Sequence, residues 1–233
     1  MANPIPVGDW AYISSEHLKV TITGSFAKIE GRFTFRSTGS TGRLAPDDTG
    51  YIQIPVWLPD TKSADEKTAR LLAFCTSAKR KIDGPLKESL AGTLSPKIIA
   101  GAKEIQIESV SLIEPTGWRG RGADPSFERK GYRCLMLHVS VPASLISRGQ
   151  TVSISYRQPM HTTRKVSEFH YVPLFRGLPS DATTTDLTRY SLSLRNDSQR
   201  TLTLGGATIQ PAASAVLPLS HACAITVQTP AGK

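Results

Sequence analysis

The sequence predicts an all-β protein: an antiparallel β-sandwich with one short helical insertion and a small C-terminal β unit. Three observations predict it. Apolar and polar residues alternate over many short segments, at the period of two that marks a half-buried strand. Gly (18) and Pro (16) punctuate these segments, as turns between short strands require. Only one substantial stretch combines helical spacing with a start signal. A chain of 233 residues is long enough to bury a core without disulfide or metal staples.

The strongest local signal lies near the N-terminus. Leu18, Val20 and Ile22 alternate with Lys19 and Thr21. From Ala27 to Phe35 the apolar phase moves to odd positions, with Gly24-Ser25 at the change. A two-residue turn there pairs Ile22 with Ala27, Val20 with Ile29 and Leu18 with Gly31, which puts all the apolar members on one face. Lys19 then lies opposite Glu30. Gly at the first turn position suits a type II′ hairpin.

Further strands follow. Tyr51–Leu58 alternates Ile52, Ile54, Val56 and Leu58, and Pro55 points to an edge position. Ile105–Ile113 changes phase between Ile107 and Val110, as a bulge would produce. Leu135 to Val141, Val152 to Tyr156 and Val166–Phe175 complete the first part, the last interrupted at Pro173. The helix is predicted over Ser63–Ser77, with a Ser63–Glu66 capping box and Ala69, Leu72 and Ala73 on one face. Pro142–Ser147 has room for a further turn or two of helix.

Residues 1–178 are predicted as the sandwich domain and 179–233 as a small β domain or an additional sheet layer. The turn-rich segment GLPSDATTT at 177–185 marks the boundary. Beyond it lie four short alternating strands: Tyr190–Leu194, Thr201–Leu204, Ala215–Leu219 and Cys223–Val227.

The net charge is +9 and the pI about 9.6, which favours acidic partners and says nothing about fold. Nearly all the excess precedes residue 179, and it is scattered rather than concentrated in one run. Nucleic acid is therefore not the expected partner. No apolar run approaches the ~20 residues that span a bilayer as a helix. The start Met1-Ala2-Asn3-Pro4 lacks the basic and apolar regions of a signal peptide, yet Ala-Asn-Pro is the small-residue start that signal cleavage leaves. This predicts a secreted or periplasmic protein, with a cytosolic one as the alternative. Cys75, Cys134 and Cys223 allow at most one bridge, and whether Cys75 and Cys134 pair stays open.

The stretch Ser15-Glu16, Leu18-x-Val20-x-Ile22, Ala27-x-Ile29-x-Gly31-x-Phe33-x-Phe35 and Ile54-Pro55-Val56 resembles the VIT-type β-sandwiches of vault and inter-alpha-trypsin proteins and of similar exported domains. Val141-Pro142 and Gly149-Gln150-Thr151-Val152-x-Ile154-x-Tyr156 are similar to their closing strands. The resemblance spans residues 10–176. It implies an interaction or structural module and brings no catalytic residues.

Searching for chemistry gives little. Glu168 and His170, two apart on a strand, share one face, and His161 lies upstream in the sequence, but no second spaced His/Cys pair supports a metal site. The competing reading makes them solvent-facing, with Phe169 and Tyr171 inward; His138 is likewise expected to be partly exposed. No metal or other cofactor is expected. No Gly-x-Ser-x-Gly elbow, catalytic Cys signature or phosphate loop is present. Trp10, Trp57 and Trp118 form either a carbohydrate platform or buried packing. The loop Gly117–Gly131 concentrates Trp118, Arg119, Arg121, Phe127 and Arg129, residue types enriched at interface hot spots, and is the expected contact surface. The sequence thus predicts a non-catalytic interaction or structural module of the cell envelope or periplasm, binding a protein or an anionic glycan. The alternative is a carbohydrate-binding or carbohydrate-active (hydrolase) sandwich.

Overall fold

The computed structural model describes residues 4–7, 10–37, 45, 48–60, 64–113, 131–147, 149–162, 166–171, 189–204, 207–218 and 225–230. It is an all-β sandwich built from three sheets, none of them a closed barrel. The first sheet has five strands in the order β1 (Ile5–Pro6), β4 (Thr49–Pro59), β9 (Tyr132–Pro142), β8 (Ile107–Ile113) and β5 (Arg80–Lys81). The second has seven: β16 (Ser214–Pro218), β13 (Tyr190–Asn196), β2 (Ala11–Thr23), β3 (Phe26–Ser37), β10 (Thr151–Pro159), β6 (Lys97–Ala100) and β7 (Lys103–Ile105). The third runs β11 (His161–Thr162), β12 (Val166–Tyr171), β17 (Ile225–Pro230), β14 (Leu202–Leu204) and β15 (Ala207–Ile209).

The N-terminal hairpin forms in the register that the alternation dictates. Ile22 faces Ala27, Val20 faces Ile29, Leu18 faces Gly31 and Lys19 faces Glu30. Gly24 has φ +57 while Ser25 keeps an ordinary negative-side φ, the combination a type II′ turn needs. Val20, Ile22, Ile29, Phe33 and Phe35 are completely buried, each contributing about 1.5–3 kcal/mol of hydrophobic stabilisation. Gly31 supplies the space for this core: a Cβ there would lie 2.5 Å from the Phe33 ring. A bulge between Ile13 and Ser15 resets the pairing, and the Ser14 hydroxyl donates to the Thr34 carbonyl at 3.1 Å.

The first and second sheets share one core. Tyr156 of β10 and Cys134 of β9 are both buried where they meet. The segment Ile105–Ile113 is not one strand. It divides between β7 and β8, which belong to different sheets, and the expected bulge falls between Ile107 and Ser109. β4 pairs with β9 along its length, while β1 covers its other side only at Ile52 and Gln53, so Pro55 lies beyond that short edge pairing.

The helical insertion holds two helices rather than one. In α1 (Glu66–Phe74) the N-cap is Asp65, whose carboxylate accepts from the Thr68 N–H at 2.7 Å. Its buried face is Thr68, Leu71 and Leu72; Ala73, expected inward, is exposed. Ser63 lies outside the described residues. The unforeseen α2 (Gly84–Thr93) starts at Asp83, which accepts from the Leu86 N–H at 3.0 Å, with Pro85 in the first turn where its missing N–H costs nothing. Arg80, 2.7 Å from Asp83, holds that carboxyl below its usual range. The chain passes from β5 in the first sheet through α2 to β6 in the second, so Leu71, Leu86, Leu90 and Leu94 add to the shared core along that side. The short helix expected after Pro142 is α3 (Ala143–Ser147).

The C-terminal strands join both other parts of the molecule. β13 lies beside β2 in the only parallel pairing among the described residues, Leu192 facing Leu18 and Leu194 facing Val20. β17 pairs with β12, and Tyr132 at the start of β9 donates to the Glu168 carbonyl at 3.3 Å, tying the third sheet to the first. Residues 177–185 and Cys223 lie outside the described residues. No helix among the described residues is long and apolar enough to cross a membrane.

Candidate binding face

Trp118, Arg119, Arg121, Phe127 and Arg129 lie outside the described residues. The ends of their loop are anchored: Ile113 pairs with Cys134, and the Gly131 carbonyl accepts from the Asp60 N–H at 2.8 Å. Of the tryptophans proposed as a platform, Trp10 and Trp57 are buried packing residues.

The histidines are more enclosed than alternation implies. His170 is buried, contrary to a solvent-facing reading, because both faces of β12 are covered at that point. Its Nε2 lies 3.3 Å from Glu168 Oε2, and its Nδ1 lies 2.8 Å from Thr226 Oγ1. Gln228 donates to the other Glu168 oxygen at 2.6 Å. The Tyr132 ring sits between His161 and His170, with centroids at 4.8 and 5.3 Å. These contacts hold the third sheet together. No group of three His, Cys, Asp or Glu among the described residues converges as metal ligands. His138 is also buried, between Ser111 and Gln53.

Cys75 and Cys134 are free and buried. Burial pushes the Cys75 thiol up to about 11 and the Cys134 thiol up to about 12, so neither forms a thiolate nucleophile near neutral pH.

The outward face of the seven-stranded sheet is different in character. Its inward positions are mostly apolar, with Glu16, Gln158 and Asn196 as buried exceptions, so the strand period sends most of the polar set outward on β13, β2, β3 and β10. Ser191, His17, Arg32 and Ser153 form one row across four strands. Ser193, Lys19, Glu30 and Ser155 form the next, extended by Lys97 on β6. Arg195, Thr21, Lys28 and Arg157 form the third. Two adjoining recesses of about 550 and 580 Å³ open on these rows and share Lys19 and Glu30.

The side chains are ordered by one another. His17 Nδ1 lies 2.9 Å from Ser191 Oγ. Glu30 is held by Lys28 at 2.9 Å and Lys19 at 3.7 Å, and Arg195 by Asp197 at 2.6 Å. The Arg157 guanidinium stacks 3.9 Å over the Phe26 ring, and its backbone N–H donates to Leu94 O at 2.7 Å. The rows thus gather six cations (Lys19, Lys28, Arg32, Lys97, Arg157, Arg195), with the carboxylates of Glu30, of Asp197 after β13 and of Glu104 on β7 on the same face. Chemically this is a shallow, hydroxyl-lined, cationic surface suited to holding an extended polar ligand. The signal was present in the sequence as the out-of-phase Ser, Thr, Lys and Arg of five strands, but only the register assembles them.

No protein-family model matches the chain, and no curated protein matches it in sequence.

Proposed function

We propose that this protein is a non-catalytic interaction module of the cell envelope or periplasm, and that it binds an anionic glycan on the outward face of its seven-stranded sheet. One observation carries the reading: the three rows of Ser, Thr, Lys and Arg aligned across adjacent strands, open over two adjoining recesses. Strands lie about 4.8 Å apart, so a ligand crossing them meets hydroxyls and cations at regular short intervals. Serine hydroxyls donate and accept, which suits sugar hydroxyls, while the surplus of cations suits acidic substituents. Nucleic acid is disfavoured because, among the described residues of the three rows, His17 is the one ring and is engaged by Ser191, while the nearby Phe26 ring is covered by Arg157. The resemblance to VIT-type sandwiches supports a binding role over a catalytic one.

The test is calorimetric titration with polygalacturonate and dextran sulfate against neutral dextran at low ionic strength. Binding of the acidic polymers alone, weakening as salt rises, is expected. A Ser153→Glu/Ser193→Glu variant places two new negative charges in separate rows and should abolish it. Equal binding by the variant, or none by the parent protein, overturns the proposal.

A further inference from the structure

Within this face, we propose that the recess around Arg32 is the subsite for one uronic acid of the glycan, with the Arg32 guanidinium holding its carboxylate. The inference rests on the sheet-face reading and deepens it to one residue and one chemical group. Most cations of the face are already committed. Lys28 and Lys19 answer Glu30 at 2.9 and 3.7 Å, Arg195 answers Asp197 at 2.6 Å, and Arg157 stacks over Phe26. Arg32 and Lys97 have no ion pair among the described residues, and of these two only Arg32 lines either recess.

Across the sheet, Arg32 is flanked by hydrogen-bonding groups rather than by carboxylates. His17 of β2 and Ser153 of β10 face it from the two neighbouring strands, and Ser191 of β13 faces His17. All four line the same recess of about 550 Å³, a volume in the range of small-molecule sites. Directly opposed residues lie about 5 Å apart, so a sugar ring over Arg32 reaches both neighbours. His17 is fixed through Nδ1, 2.9 Å from Ser191 Oγ, and its Nε2 has no hydrogen bond among the described residues. Glu30, two positions along β3, is drawn to Lys28 and Lys19. Glu104 lies beyond Ile99, three strands from Arg32, or about 14 Å.

One uncommitted cation among hydroxyls matches a sugar that carries one carboxylate and several hydroxyls. The planar guanidinium offers two parallel N–H donors to the two carboxylate oxygens, while the Ser153 and Ser191 hydroxyls serve the ring hydroxyls. A densely sulfated sugar would need several uncommitted cations within the width of one ring. The recess supplies one, since its Lys19 already serves Glu30.

The experiment titrates polygalacturonate and dextran sulfate into Arg32→Gln, Arg32→Lys and Arg36→Gln. Arg36 is also exposed on the same face of β3, four positions on and outside both recesses, so it controls for net charge. Arg32→Gln should weaken polygalacturonate binding about tenfold, through loss of a charge-assisted bidentate pair. Arg36→Gln should weaken it by less than about twofold. Arg32→Lys, which keeps the charge but loses the planar fork, should fall between parent and Arg32→Gln. On dextran sulfate the two Gln variants should lose equally, by less than about threefold. Both positions are solvent-facing, and thermal melts matching the parent confirm intact folds. Equal losses for Arg32→Gln and Arg36→Gln on polygalacturonate, or parent binding of dextran sulfate alone, overturn the subsite and leave the sheet-face reading standing. No binding of either polymer by the parent protein overturns both.

Discussion

Acidification should destabilise this fold through His138. The residue sits on β9 opposite Gln53 of β4, only 7% exposed, with Nε2 2.9 Å from Ser111 Oγ and Nδ1 3.5 Å from Gln53 Nε2. The Gln53 amide nitrogen is a donor, so Nδ1 accepts and Nε2–H donates to Ser111, which is the neutral tautomer. Burial first, and nearby Lys79 second, depress its pKa to about 4 against the partial opposition of Glu108. Above the unfolded pKa of about 6.5 the imidazole is neutral in both states and costs nothing. Below it the unfolded chain takes up a proton that the folded protein refuses until about pH 4. Stability is therefore lost as pH falls through that window, at about 1.4 kcal/mol per pH unit, or about 2.5 kcal/mol by about pH 4.5. The assay is urea unfolding at about pH 7.5 and about pH 4.5 for the parent and His138→Gln, which keeps polar contacts but cannot titrate. The variant should escape about 2.5 kcal/mol of the parent's acid loss. Parallel losses in the two proteins, or a His138 proton resonance titrating near pH 6.5, would refute the reasoning.

Two other substitutions probe the backbone and the core. Gly24→Ala meets no atom within 4 Å, so any cost comes from φ +57 alone; about 1 kcal/mol of destabilisation is expected in denaturant titrations, and none would exclude the type II′ turn. Tyr156→Phe removes a fully buried hydroxyl with no hydrogen-bond partner among the described residues. Its melting temperature should stay level or rise, gaining up to about 1 kcal/mol, because nothing satisfied is lost; a clear drop would reveal a partner for that hydroxyl.

The hairpin was legible to the residue because its determinants are local: alternation, a glycine at the phase change, and opposite charges at Lys19 and Glu30. Helix α2 was not, because Asp83-Gly84-Pro85 reads as a turn and Leu86 and Leu90 are its only large apolar positions before the C-cap Leu94. His138 occupies the polar phase of β9, so alternation places it outward; it is buried because Ser111 and Gln53 from the two flanking strands close over it. Glu16 shares the parity of Leu18 and is fully buried, a position that alternation permits but polarity argues against. The binding face was invisible for another reason. Its serines and cations are ordinary surface residues within each strand, and only pairing of β2 with β13 and of β3 with β10 gathers them.

The parallel pairing of β13 with β2 also governs how the molecule comes into being. His17 and Ser191 touch across 174 positions of chain, so the second strand of the protein waits for one of its last. At roughly 5–20 residues per second, a ribosome needs on the order of ten to thirty-five seconds to cover that interval. Throughout it, the edge of β2 carrying Val20 and Ile22 is an unpaired template open to any extended neighbour. Slow, late closure of the sheet follows, with a yield that falls as nascent chains become crowded and recovers where synthesis is spaced or chaperones occupy that edge.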